Sequence, residues 1–303
     1  MKHRLAGAVI PALLLLLSIS CIKGDPADFP VKDIRALDVF RYAPPEAALV
    51  MAIDFDLILR DPELGPDILA ALRENPSPSN MFQTALPFYE EIGYIHGIAL
   101  YSQTANDLGD AGSDLAGRVA LLSVEMDEGA VRAELEKTRT LLPYHGYQAY
   151  DLEKNLQVAF LGDGLILVGG DKHILQAIFS RLPGASEVPH HLTPTTGTML
   201  YLRVRNEKKG DLATLKGSVG NTANFLEIAV AVSDGEIVGV MACDVDLPDQ
   251  ETVEALQGEM QKSMPLASLF HDADPQFTQE PWGLRVVYRV AKSVFWEDVK
   301  QAF

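Results

Sequence analysis

The stretch Phe225–Val245, FLEIAVAVSDGEIVGVMACDV, is the part of the sequence that predicts the fold most directly. Two apolar runs in it flank the four residues Ser233-Asp234-Gly235-Glu236. Asp-Gly between runs rich in β-branched residues is typical of a tight hairpin turn. The stretch therefore predicts two antiparallel strands, Phe225–Val232 and Ile237–Val245.

Similar patterns recur on both sides of this hairpin. Gly162-Asp163-Gly164 separates the apolar runs Leu156–Leu161 and Leu165–Val168, which predicts a second hairpin. Helices are predicted to begin near three capping or starting residues: Asp127, Asp171 and Pro248. Each half of the chain can then be written β-α-β-β-α-β, the element order of ferredoxin-like units. The sequence predicts an α+β fold of two related ferredoxin-like modules, with mainly antiparallel sheets covered by helices on one face.

Composition along the chain predicts where these modules begin and end. A segment rich in proline and glycine, which interrupt regular structure, separates the two halves. The predicted organisation is a signal peptide over 1–20, a lipidated tether over 21–43, a first module over 44–185, a linker over 186–197 and a second module over 198–303.

The first twenty residues have the architecture of an export signal. Lys2 and Arg4 give a basic start, and the apolar run Ala6–Leu17 is shorter than the ~20 residues of a membrane-spanning helix. Ser18-Ile19-Ser20 then leads to Cys21. The segment resembles a bacterial lipoprotein signal peptide, and this resemblance implies lipidation of Cys21. Small residues before Cys21 also fit an ordinary secretory cleavage site, which would release the protein into the periplasm.

Two further resemblances bear on location. Cys21 is followed by Ile22 and not by aspartate, which in lipoproteins of Gram-negative bacteria implies the outer membrane, facing the periplasm. The stretches Pro44–Asp54 and Tyr147–Gly170 resemble a loose set of uncharacterised bacterial exported α+β repeat proteins. That resemblance implies a shared fold and a cell-envelope location, and it brings no activity with it.

The charge of the chain restricts its partners. The formal net charge is −17 at pH 7, and removal of Lys2 and Arg4 with the leader would make it two units more negative. Such a surface repels the phosphates of nucleic acids, so no nucleic-acid partner is expected. The expected partners are the membrane, through the lipid anchor, and either an unidentified envelope protein or a small apolar ligand.

One loop offers a candidate metal site. His271, Asp272 and Asp274 place an imidazole and two carboxylates close together in sequence, and such groups can hold a divalent cation. Aspartate before proline also commonly forms a turn by bonding its own backbone, and Pro275 follows here. Both interpretations remain open, and the turn is the one that the pattern favours.

Other notable residues have a structural interpretation. Side chains of adjacent residues such as His190 and His191 point apart, which favours a solvated linker over a metal site. Cys243 shares a strand face with Met241 and is expected to be a buried core thiol. Trp296, near the C-terminus, is expected to pack into the core.

The motifs of common enzymes are missing from the sequence. It contains no G-x-S-x-G, H-E-x-x-H or Walker pattern, so no catalytic residue and no cofactor is predicted. The leading hypothesis is a non-enzymatic cell-envelope lipoprotein that acts as a binding or scaffold module. The alternatives are a carrier of an apolar small molecule or lipid, and a metal-assisted enzyme of unknown reaction.

Overall fold

The apolar runs of the sequence assemble into one antiparallel sheet. This computed structural model describes residues 25–32, 39–44, 46–74, 82, 85–103, 115, 118–144, 147–152, 155–170, 188–206, 223–246, 250–263, 270 and 273–302. Within them the strands are β1 (Leu49–Asp54), β2 (Tyr94–Ser102), β3 (Arg118–Glu125), β4 (Leu141–Tyr144), β5 (Tyr147–Asp151), β6 (Leu156–Gly162), β7 (Leu165–Gly170), β8 (Thr198–Arg205), β9 (Phe225–Ser233), β10 (Glu236–Asp244), β11 (Gln276–Glu280) and β12 (Gly283–Ala291).

Helices lie between and beyond these strands. They are α1 (Val39–Tyr42), α2 (Phe55–Leu59), α3 (Gly65–Glu74), α4 (Glu128–Thr138), α5 (Gln250–Ser263) and α6 (Lys292–Ala302), with short 3₁₀ turns at Pro26–Asp28 and Tyr89–Glu91. As expected from the sequence, Asp127 caps α4 by accepting the Ala130 N–H at 2.9 Å. Within the described residues, no helix combines the length and the apolar character needed to span a membrane.

The hairpin that the sequence predicted most directly is present. Ser233 pairs with Glu236 across the turn, and the pairing continues to Phe225 and Asp244. Asp234 and Gly235 both have positive φ angles, 49° and 82°. This conformation suits the two-residue turn whose twist matches that of the flanking strands, and it explains the Asp-Gly pair.

The strands follow the order β11-β12-β10-β9-β8-β1-β2-β3-β7-β6-β5-β4. The prediction of an α+β fold with mainly antiparallel pairing is confirmed. The pairing differs from that of a ferredoxin-like unit, in which the two strands around the first helix are parallel and separated by another strand. Here β1 and β2 are antiparallel neighbours, and β1 also pairs with β8, so the two halves share one sheet.

The two faces of the sheet are covered differently. On the face that carries Met51 and Ile53, here the helix face, buried residues of α2 to α6 pack against the strands. The opposite face carries Val50 and Ala52 and is here the linker face. It is covered by α1 and by residues 188–192. Both faces therefore bury apolar side chains, and small residues such as Ala52 allow the close approach on the linker face.

The segment over residues 21–43, predicted to be a lipidated tether, packs against the body in its described part. Pro26 is buried, and the ring of Phe29 stacks on Tyr94 at 5.1 Å. Val39 and Tyr42 are also buried, on the linker face. The physical reason is that apolar side chains of this segment fit against surfaces formed by residues far away in sequence, which local periodicity does not reveal.

Candidate functional site

Residues 188–192, which the sequence predicted to be part of a solvated linker, lie against one end of β8, β9 and β10. Charged and aromatic side chains of these strands and of the turn before β12 contact the segment. We name this group the linker site; it comprises His191, Tyr201, Arg203, Phe225, Glu227, Asp244 and Trp282.

The imidazole of His191 lies between two aromatic rings. Its centroid is 3.9 Å from that of Trp282, with the rings nearly parallel, and 5.0 Å from that of Phe225. Nε2 of His191 is 2.6 Å from Oδ2 of Asp244, whose other oxygen accepts the Asn224 amide at 2.7 Å. The His191 side chain is 20% exposed.

Glu227 is the acceptor at the centre of the linker site. Its side chain is fully buried, and it accepts the Tyr201 hydroxyl at 2.5 Å. Its other oxygen accepts the backbone N–H groups of His191 and Leu192, at 2.7 and 3.1 Å. Burial raises the pKa of Glu227 above its ordinary value, although these hydrogen bonds favour the charged form.

Arg203 joins three segments of the chain at the same place. It is 1% exposed and donates to the carbonyl oxygens of Pro189, at 2.7 Å, and Ala47, at 3.2 Å. Its guanidinium lies 4.6 Å from the ring centroid of Phe225. Because Pro189 precedes β8 and Ala47 precedes β1, this one side chain ties the segments before both strands to β8.

The linker site binds its own chain. The buried oxygens of Glu227 and the donors of Arg203 are directed at backbone atoms of residues that lie over the sheet. His190 extends the cover by stacking on Phe40 of α1 at 3.9 Å. Chemically, the arrangement can hold the segment in place, with Glu227 shielded from solvent and His191 partly exposed.

A second polar cluster surrounds His96. This residue is 0% exposed and occupies a bulge in β2, where the register with β3 shifts between Ile95 and Gly97. Its Nδ1 lies 2.7 Å from Oδ2 of Asp56, and its Nε2 lies 3.0 Å from Oε1 of Glu125. Each ring nitrogen of His96 therefore faces a carboxylate oxygen.

The carboxylate of Asp56 organises this His96 cluster. It also accepts the Tyr94 hydroxyl at 2.9 Å and Nε of Arg60 at 3.1 Å. Burial opposes ionisation of Asp56, but the hydrogen bonds from His96 and Arg60 outweigh it and hold the pKa below its ordinary value. The cluster is therefore a set of paired charges inside the protein.

The structure describes only one of the residues predicted as lipid or metal sites. Cys21, His271 and Asp272 lie outside the described residues, and Asp274 is exposed. Among the residues that the structure does describe, no group of three or more histidine, cysteine, aspartate or glutamate side chains is arranged to hold a metal ion.

The remaining sequence interpretations have clear outcomes. The interpretation of His190 and His191 as a solvated linker is wrong, because both rings stack on aromatic residues. Cys243 is 0% exposed, as predicted, and burial raises the pKa of its thiol to about 12. Trp296 is 2% exposed and packs into the core as predicted.

The sequence interpretation missed the buried charges that organise both clusters. Glu227, Arg203 and His96 each stand inside a strand whose other residues are mostly apolar, the composition of a strand buried on both faces. A charged or titratable residue at such a position needs an internal partner, so the signal was present. The partners themselves come from distant segments and are not visible in the local pattern.

Comparison with known proteins adds one similarity. No protein-family model matches the chain, and no curated protein does. Solved structures of TP0453 are similar to it. Crystal form I of that protein aligns with a TM-score of 0.43 and 9% sequence identity, covering 88% of this chain and 98% of the other. Crystal forms III and IV each give a TM-score of 0.40, at 9% and 8% identity.

Proposed function

We propose that the protein is a non-enzymatic lipoprotein of the bacterial cell envelope, anchored through Cys21, whose folded body acts as a binding or scaffold module. The leader and Cys21 support the anchor, with the outer membrane as the expected location and release into the periplasm as the alternative. The acidic composition supports a body that stays in the aqueous phase and does not bind nucleic acid.

One observation carries the non-enzymatic part of this proposal. Both oxygens of Asp56 and both oxygens of Glu227 accept hydrogen bonds from donors of the chain itself. A catalytic carboxylate must reach a substrate, whereas these two are buried and occupied. Both carboxylates instead bind backbone groups of distant segments, as expected of residues that hold a scaffold together.

The anchor is tested by fractionation together with mass spectrometry of the N-terminus. The wild-type protein is expected to carry acyl chains on Cys21 and to sediment with membranes, because several acyl chains on one residue hold it firmly. Cys21→Ser is expected to move the protein to the soluble fraction. Unchanged fractionation of Cys21→Ser would contradict the anchor.

The scaffold role is tested by chemical crosslinking in intact cells. A discrete adduct with an envelope protein is expected for the wild-type protein and is expected to be lost for Cys21→Ser, which leaves the membrane surface. If the wild-type protein gives no discrete adduct at native expression level, the scaffold role is contradicted.

The two halves are proposed to be related modules. In each half three antiparallel strands (β1–β3 or β8–β10) are followed by a helix (α4 or α5) and then by strands whose last member (β7 or β12) pairs with the third. The first half additionally contains β4 and β5. Superposition of the two halves should match these strands in register, and a mismatch of strand directions would contradict common ancestry.

A specific observation favours one alternative, a carrier of an apolar small molecule or lipid. Tyr288 is 2% exposed, and within the described residues its hydroxyl has no hydrogen-bond partner. The rings of Phe270 and Phe295 stand close to this part of the core, between the sheet and α6. The polar group of a bound lipid would satisfy the hydroxyl. Solvent extraction of the purified protein should then release a stoichiometric lipid, and its absence would remove the alternative.

A further inference from the structure

The first described residues, 25–32, are fixed to the body and are here named the arm. Phe29 stacks on Tyr94 with an interplanar angle of 11°. Arg60 donates Nη2 to the carbonyl oxygens of Phe29, at 2.9 Å, and Pro30, at 3.3 Å. These contacts place the arm beside the beginning of β2.

Lys32, the last residue of the arm, is bound to the body by two contacts. Its Nζ lies 2.7 Å from Oε1 of Glu125, and its backbone N–H donates to Asp56 at 3.2 Å. Asp56 and Glu125 are the two carboxylates that hold the buried His96. The arm is therefore bound into the His96 cluster and does not act as a loose tether.

This attachment restricts the distance between the body and a lipid on Cys21. The buried Pro26 follows Cys21 by five residue steps, which whatever their conformation extend at most about 18 Å. The argument rests on the proposed lipidation of Cys21. If Cys21 is lipidated, the bilayer lies within this reach of the arm.

Strand directions show what else lies at that end of the sheet. The arm end is where β2 begins and β3 ends, and it also holds the β6–β7 turn and the β9–β10 turn at Ser233–Glu236. The far end holds the linker site and the β11–β12 turn near Gln279. Between Leu226 and Ser233, seven residues at about 3.3 Å each separate the two ends by roughly 23 Å.

We infer that the arm end is the surface that faces the phospholipid bilayer, and that the linker site faces the aqueous side. Val31 of the arm, 69% exposed, is the most exposed large hydrophobic side chain of the described residues and stands where it would meet lipid headgroups. The net charge of −17 gives no attraction to anionic lipid, so the short connection to the anchor holds this surface at the bilayer.

The test uses matched probes at the two ends of the lipidated full chain. Ser233→Cys and Gln279→Cys each replace an exposed residue next to a hairpin turn. Cys243 is buried with a pKa of about 12, and Cys21 carries the lipid, so a thiol-reactive fluorophore labels the introduced cysteine. Each labelled protein is reconstituted into phosphatidylcholine vesicles that contain a headgroup spin-labelled lipid.

Quenching by the spin-labelled lipid is expected to be several-fold stronger at position 233 than at position 279. Equal or reversed quenching in protein that mass spectrometry shows to be acylated would overturn the orientation and leave the anchor intact. Unacylated Cys21 would overturn both. Insertion of twenty glycine and serine residues between Gly24 and Asp25 is expected to abolish the difference. A difference that persists would show that the short reach does not set the orientation.

Discussion

Replacement of Glu227 by alanine removes the central acceptor of the linker site. Tyr201 then loses the acceptor of its hydroxyl, and the N–H groups of His191 and Leu192 lose theirs. A buried donor without a partner costs roughly 1–3 kcal/mol, and Arg203 also loses a nearby buried counter-charge. Since removal of one member of a buried charged network costs about 3–5 kcal/mol, we expect Glu227→Ala to lower the free energy of unfolding by that amount.

Urea unfolding of the mature protein measures this loss. Trp282 lies in the linker site and Trp296 is a buried residue of α6, so tryptophan fluorescence follows both regions. The control is Glu236→Ala, because Glu236 is exposed and its contact with Arg289 is 3.8 Å long. We expect the control to change the free energy by less than about 0.5 kcal/mol. A Glu227→Ala protein as stable as the control would refute the role of Glu227.

The raised pKa of Glu227 also predicts a dependence of stability on pH. Above about pH 4.5, the ordinary value, the unfolded chain has released the proton of Glu227 while the folded protein retains it up to the raised pKa. The folded state binds more protons in this window, so the contribution of Glu227 to stability falls as pH rises. The difference in unfolding free energy between wild type and Glu227→Gln should show this decline. A flat or rising difference would contradict it.

Three further predictions concern other residues of the described structure. His191→Ala should change the emission of Trp282, which loses its stacked neighbour at 3.9 Å; an emission spectrum identical to wild type would contradict the stacking. Asp61→Ala should cost roughly 2–4 kcal/mol in urea unfolding, because Lys292, the Trp296 N–H and the turn before α3 lose their acceptor. Burial opposes ionisation of Asp61, but the hydrogen bonds from Lys292 and from the backbone of Glu63 and Leu64, with the charge of Lys292, together outweigh it and lower the pKa of Asp61. That difference should therefore shrink as pH falls below the ordinary value near 3.8, and a pH-independent difference would argue against these interactions. Cys243 should resist thiol reagents at pH 8 until urea unfolds the protein, and rapid labelling of the folded protein would show that the strand opens.

The parts of the fold that could be predicted from the sequence are local. The Asp234-Gly235 turn fixes its own hairpin, because both residues tolerate positive φ and the flanking runs alternate. Asp127 could be identified as a helix cap because its partner lies three residues away. In both cases the interacting groups are neighbours along the chain, so the pattern contains both partners.

Strand pairing could not be predicted in the same way. β1 is apolar on both faces, so its sequence indicates a buried strand without naming its neighbours. Its partner β8 begins at Thr198, well over one hundred residues later. The ferredoxin-like pairing was inferred from element order, and element order is compatible with several strand orders.

The packing of the arm and of residues 188–192 against the sheet could not be predicted for a related reason. Phe29 stacks on Tyr94, and Lys32 forms an ion pair with Glu125; each pair is separated by more than sixty residues along the chain. A segment with few apolar residues looks like a tether until its specific partners are known. The geometry of adjacent histidines disfavours a metal site, but it does not reveal that His191 stacks on Trp282 and contacts Asp244.

The pairing of β1 with β8 has a mechanical consequence. Five residue pairs from Leu49–Val204 to Ile53–Leu200 join the halves, and Arg205 adds a bond to the carbonyl of Ala48 at 2.7 Å. Tension applied along the strands would load these bonds in shear, so they would have to rupture nearly together. Tension applied across the strands would unzip them one at a time. A body pulled from the two ends of its strands should therefore withstand far more force than the same body pulled from its two edges.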